Sequence, residues 1–81
     1  MAASEKVALV TGAGTGIGRS AALALADMGY AVVLSGRRRD PLEAVEKEAA
    51  ARGVRALVVI ADVADPAAIK ALFAKTKETF G

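Results

Sequence analysis

The 81-residue chain has no cysteine and no histidine. Without cysteine there is no disulfide, no thiolate nucleophile and no cysteine-ligated metal. Without histidine, Ser-His-Asp and Cys-His catalysis and the usual zinc chemistry are excluded together. No metal site is expected. Aromatic residues are scarce, at 4% of the chain. No apolar run approaches the roughly 20 residues that span a bilayer. The opening "MAASEK" lacks the basic and apolar regions of a secretory signal, so the cytoplasm is the expected compartment, with no membrane partner. Neither sign of charge dominates: 11 basic and 9 acidic residues leave a formal net charge of +2. That balance gives no argument for a nucleic-acid partner.

What is present is small and apolar. Hydrophobic residues make up 54% of the chain, mostly Ala and Val with some Leu. Such side chains suit helices packed closely on a sheet. The length corresponds to one small domain or to part of a larger one, since domains typically run to about 100–150 residues.

Three apolar runs alternate with three helix-forming stretches. "VALV" (7–10), "AVVLS" (31–35) and "RALVVI" (55–60) read as buried strands. "IGRSAALALADM" (17–28) is a helix closed by Gly29, with Ile17, Ala21, Ala24 and Met28 expected on its inner face. In "RRRDPLEAVEKEAAARG" (37–53) the expected N-cap is Asp40, with Pro41 in the first turn and Glu43 completing a capping box. Leu42, Val45 and Ala49 form the inward stripe, Glu43–Lys47 and Glu48–Arg52 the pairs four apart, and Gly53 the stop. Asp65 and Pro66 open a third helix, whose stripe is Ile69, Leu72, Phe73, Thr76 and Phe80. The order β-α-β-α-β-α with short connections predicts an α/β fold. Its form is a Rossmann-type parallel sheet with right-handed crossovers and helices on both faces.

The first strand runs into "LVTGAGTGIGRS" (9–20), with glycines at 12, 14, 16 and 18. A glycine-rich turn between a first parallel strand and a helix is the context of dinucleotide binding. The helix N-terminus offers unpaired N–H groups and partial positive charge, and glycine lets backbone approach a pyrophosphate. The strict G-x-G-x-x-G fingerprint fails, because its third glycine would fall on Ile17 or Arg19. A P-loop fails too, with Ala13 and Arg19 at its first glycine and its lysine. Gly12, Gly14 and Gly16 satisfy the G-x-G-x-G of methyltransferase-type loops. However, Val10, Thr11, Gly36 and Arg37 stand where that class wants acids. A turn without ligand is the remaining alternative, although glycine costs about 0.5–1 kcal/mol relative to alanine in regular structure.

The pattern that fits is T-G-x-x-x-G-x-G, on Thr11, Gly12, Gly16 and Gly18. In this the chain resembles the short-chain dehydrogenase/reductase family, over Lys6 to Gly81 and at the family's N-terminal part only. The resemblance implies that residues 1–81 are the N-terminal part of a dinucleotide-binding Rossmann domain. It also implies Gly12, Thr15, Gly16, Ile17 and Gly18 as the loop that meets the cofactor, and a strand order 3-2-1-4.

An NAD site usually has an acid about 20 residues beyond the glycines, to accept from the ribose 2′-OH. Here "SGRRR" puts Gly36 in that place, followed by Arg37 and Arg38. A carboxylate would repel a 2′-phosphate, whereas guanidinium groups meet phosphate oxygens in two-point contact. Cations also gain nothing from the N-terminal end of a helix dipole, which favours a ligand over a merely solvated cluster. NADP is therefore expected over NAD. Some NADP-preferring relatives carry a basic residue just before the second motif glycine, where this chain has Thr15. After the third strand, Asp62 and Val63 match the family's pair that meets adenine.

The resemblance implies hydride transfer between a nicotinamide and an alcohol or carbonyl substrate, in a homo-oligomeric parent. The family's catalytic Tyr-x-x-x-Lys, its serine and its Asn-Asn-Ala-Gly stretch are absent. The only tyrosine is Tyr30, with Leu34 four residues on. No catalytic residue is expected in this chain, and a non-catalytic nucleotide-binding module is the alternative reading.

Overall fold

The computed structural model describes residues 6–80. The elements are β1 (Val7–Thr11), α1 (Gly16–Asp27), β2 (Ala31–Gly36), α2 (Arg39–Ala51), β3 (Ala56–Ile60) and α3 (Pro66–Phe80). The three strands are parallel in the order β1-β2-β3, so the chain forms the α/β arrangement expected of it.

Register decides which side chains share a face. Val10 pairs with Leu34 and Leu34 with Val58; Thr11 pairs with Ser35 and Ser35 with Val59. Side chains alternate along a strand, so these two rows point to opposite sides of the sheet. Helices α1 and α2 cover the Leu34 side. There Ala22, Leu23, Ala26, Leu42, Val45 and Ala49 join Val32 and Leu34 in one core. Helix α3 packs on β3 from the other side, where Val33 and Leu72 are buried outside that core. β2 is paired on both edges, and Ala31 to Ser35 are all buried; β1 and β3 are mostly half-buried. Burial of each Leu or Val contributes roughly 1.5–3 kcal/mol, which makes β2 the centre of stability. Among the described residues, no helix is long and apolar enough to cross a membrane.

The inner stripe of α2 is the expected one, but its start is not. Its N-cap is Arg38, without a side-chain cap hydrogen bond, rather than Asp40. Starting at Arg39 leaves Asp40 and Pro41 inside the first turn. A carboxylate is favoured there, and proline's missing N–H costs nothing. No capping box forms: Glu43 pairs with Arg39 at 3.5 Å.

Helix α1 is rotated from the expected face. Ala22, Leu23 and Ala26 are buried, while Ile17, Ala21, Ala24 and Met28 are exposed. Its end is a Schellman motif, with Tyr30 N–H donating to Leu25 O at 3.1 Å and Gly29 N–H to Ala26 O at 2.9 Å. On α3, Leu72 is buried and Ile69, Thr76 and Phe80 are half-buried, but Phe73 is 59% exposed.

Glu48 turns away from Arg52 to bridge to α1. Arg19 grips it with two donors, Nε to Oε1 at 3.2 Å and Nη2 to Oε2 at 2.5 Å. That hydrogen bond, and then the carboxylate charge, raise the pKa of Arg19. Arg52 instead meets Asp27 at 2.6 Å. Two ion pairs therefore tie α1 to α2. Both are solvent-exposed, so each contributes only about 0.2–1 kcal/mol.

Candidate functional site

All the expected site residues lie at one end of the sheet, beyond the carboxyl ends of its strands. β1 leaves the sheet at Gly12, whose φ of +64° is a left-handed value that glycine adopts without strain. Ala13, fully buried, donates its N–H to Ser35 O at 3.1 Å and pins the loop to β2. Thr15 is the N-cap of α1, and its hydroxyl turns back to Gly12 O at 3.2 Å instead of capping the helix. The N–H groups of Gly16, Ile17 and Gly18 have no acceptor among the described residues, and the first turn contains no acid. Three converging donors on a positive helix end can take an anion.

The glycines differ in what they do. A Cβ on Gly18 would overlap the carbonyl oxygen of Gly12 and stand 2.7 Å from its carbon, so glycine lets α1 start against the end of β1. At Gly12 and Gly16 an added Cβ would meet nothing within 4 Å. Their side-chain positions open outward, which leaves room for a ligand's backbone contact. A Cβ on Gly14 would stand 2.7 Å from Pro41 Cβ, so glycine there lets α2 approach the loop.

β2 ends nearby at Gly36, followed by the exposed Arg37 and Arg38. A cleft of about 270 Å³ gathers Gly12, Thr15, Arg37 and Arg38 on one wall system, with Gly14, Gly36, Pro41 and Leu42. Arg37 and Arg38 make no ion pair with a described residue, whereas Arg39 is held by Glu43 and does not line the cleft. The two arginines share that cleft with Gly12, Gly14 and Thr15 of the glycine loop, whereas Gly16, Ile17 and Gly18 lie outside its lining. Gly14, Gly36, Pro41 and Leu42 were not among the expected site residues. The signal available for Gly14 was a glycine that T-G-x-x-x-G-x-G leaves unassigned.

Asp62 and Val63 follow β3, which is tied to β2 by Ala61 N–H to Gly36 O at 2.9 Å. Both are exposed and outside the cleft lining. Asp62 Oδ1 accepts the N–H of Ala64 at 2.9 Å, while Asp65 Oδ1 accepts that of Ala67 at 3.0 Å and caps α3 as expected. Among the described residues there is no group of three His, Cys, Asp or Glu able to hold a metal ion. A larger groove of about 640 Å³ lies along the start of β3, where Arg55 stacks on Phe80 at 4.6 Å. It is shallow and contains no loop glycine.

Residues 6–81 match the family model described as short chain dehydrogenase. The chain is 46% identical over 77 residues to versicolorin reductase 1 of Aspergillus parasiticus, covering 94% of this chain and 29% of that protein. It superimposes on a metagenomic short-chain oxidoreductase crystallised with NADP at a TM-score of 0.90. There the identity is 38%, covering 96% of this chain and 35% of the other. With NAD⁺-bound xylitol dehydrogenase the TM-score is 0.92 at 37% identity, covering 96% and 30%. The chain thus spans about a third of the length of each of these three relatives. Glycine loop, strand order and sequence agree, and the chain belongs to the short-chain dehydrogenase family.

Proposed function

We propose that residues 1–81 are the N-terminal, adenosine-side part of a dinucleotide-binding domain, and that the site prefers NADP(H) to NAD(H). In this reading the N–H groups of Gly16, Ile17 and Gly18 take the pyrophosphate, with Gly12 and Thr15 shaping the turn. Arg37 and Arg38 take the 2′-phosphate, and Asp62 with the backbone of Val63 takes adenine. One observation carries the preference. Two arginines without ion pairs among the described residues line the same cleft as Gly12 and Thr15, and Gly36 stands where a ribose-binding acid would be. The cofactor, when bound, supplies hydride for exchange with an alcohol or carbonyl substrate. The parent enzyme is read as a cytoplasmic homo-oligomer.

The experiment is a titration of NADPH and NADH against the chain and its Arg37→Asp variant. A hydrogen bond to a charged group is worth about 1.5–3 kcal/mol, so loss of one contact weakens NADPH binding by about 10- to 150-fold. NADH binding is expected to hold or improve. Equal affinity of the unaltered chain for both cofactors refutes the preference. A second reading, a non-catalytic nucleotide-binding module, is favoured by the lack of any Tyr-x-x-x-Lys in the 81 residues. The intact mass of the purified protein, or the reading frame downstream of Gly81, separates the two.

A further inference from the structure

The approach of Gly14 to Pro41 joins the two halves of the cleft. A methyl group on Gly14 would stand 2.7 Å from Pro41 Cβ, closer than such carbons pack, and 3.5 Å from Leu42 N and Pro41 C. Pro41 is a rigid ring and cannot swing away. One of two backbones has to give.

The glycine loop is the better held. Ala13 is fully buried with its N–H on Ser35 O at 3.1 Å, and Thr15 is bonded twice to Gly12 O, at 3.2 and 3.3 Å. The first turn of α2 has no side-chain cap, and its buried anchors begin only at Leu42. The strain would pass into that turn, and so into Arg37 and Arg38, which lead directly into it.

We propose that Gly14 is a positioning residue for cofactor choice: its missing side chain lets Pro41 seat against the loop and sets the distance between the pyrophosphate donors and the arginines. This rests on the NADP reading of the same cleft. A residue with any side chain at position 14 holds the arginines off the 2′-phosphate without disturbing the donors of α1. The effect therefore falls on the phosphorylated ligand alone.

The test compares 2′-phospho-ADP-ribose with ADP-ribose, which differ only in that phosphate and need no nicotinamide subsite. Titrations are run on the chain, Gly14→Ala, Pro41→Gly and the double variant, with circular dichroism to report folding. Gly14→Ala is expected to weaken 2′-phospho-ADP-ribose by about 10-fold or more, the loss of one charge-assisted contact, and to leave ADP-ribose nearly unchanged. Pro41→Gly removes the Cβ that is struck, and in the double variant most of the lost discrimination returns. Equal weakening of both ligands, an unchanged ratio, or no rescue overturns the proposal. So does a Gly14→Ala chain that no longer folds, because the strain was then not confined to the first turn of α2. If the unaltered chain binds both ligands equally, the NADP reading falls and this one with it. If it discriminates but Gly14→Ala does so equally well, only this inference is lost.

Discussion

Replacing Gly18 by alanine adds one methyl group at the tightest point of the loop. It would overlap the Gly12 carbonyl oxygen and lie 2.7 Å from the carbonyl carbon and 3.2 Å from Ala13 Cα. All three are backbone atoms. Ala13 is buried and hydrogen-bonded to Ser35, so the strand end cannot recede. The start of α1 has to lift instead. Overpacking of this kind costs about 1–3 kcal/mol, and alanine's better helix propensity offsets at most about 1 kcal/mol. A net loss of about 1–2 kcal/mol lowers the melting temperature of a chain this size by roughly 4–16 °C. Melting followed by circular dichroism gives that shift. The same displacement carries the N–H groups of Gly16, Ile17 and Gly18 with it, so ADP-ribose and 2′-phospho-ADP-ribose weaken together. Gly12→Ala is the control: no atom lies within 4 Å, and only the left-handed backbone resists, at about 1–2 kcal/mol. Gly12→Asn, which tolerates that conformation, is expected to recover part of the loss. A Gly18→Ala chain that melts and binds like the original would refute the close approach of helix and strand.

Other outcomes follow from the same structure. Ser35→Ala is expected to be neutral or to stabilise by about 1 kcal/mol in a denaturant titration, because the Ser35 hydroxyl is buried with no hydrogen-bond partner among the described residues; a clear loss would reveal a partner. The purified 81-residue chain is expected to turn over no alcohol or carbonyl with either nicotinamide cofactor; activity that co-elutes with it would refute this. In sedimentation the chain is expected to self-associate and to bind apolar dyes. The outer edge of β1 has no strand neighbour among the described residues, and Ile17 (90%) and Phe73 (59%) are exposed. A monodisperse monomer without dye binding would show that the edge is harmless.

How much of this was legible beforehand depended on side-chain size. Leu42, Val45 and Ala49 stand among charged residues at helical spacing, so only one face of α2 could be the inner one. In α1, alanine occupies 21, 22, 24 and 26, and a stripe of alanines looks the same from two sides. Leu23 decided the outcome, and its weight is visible only once β2 lies beneath it. The start of α2 was misplaced because Asp40 and Pro41 suit both the cap and the first turn. The glycine loop, Arg37 and Arg38 could be named from spacing alone, since the chemistry of a helix N-terminus and of a guanidinium is local. The contact of Gly14 with Pro41 could not, because it joins residues 27 positions apart in the chain.

The burial of β2 has a consequence for how the molecule breathes. Its amides are shielded by a strand on each side and helices over both faces. Exchange of those protons with solvent requires opening of the whole sheet, and so reports the global unfolding free energy. The outward-facing amides of β1 and β3 exchange through local fraying. Arg37 and Arg38 continue from the slowest-exchanging strand, but they are exposed and lie beyond its last paired residue, Gly36, so their own amides exchange with the uncapped first turn of α2. The glycine loop leaves an edge strand but is pinned to β2 through Ala13 N–H on Ser35 O. Deuterium would therefore reach the Ala13 amide late, long after the outward-facing amides of β1.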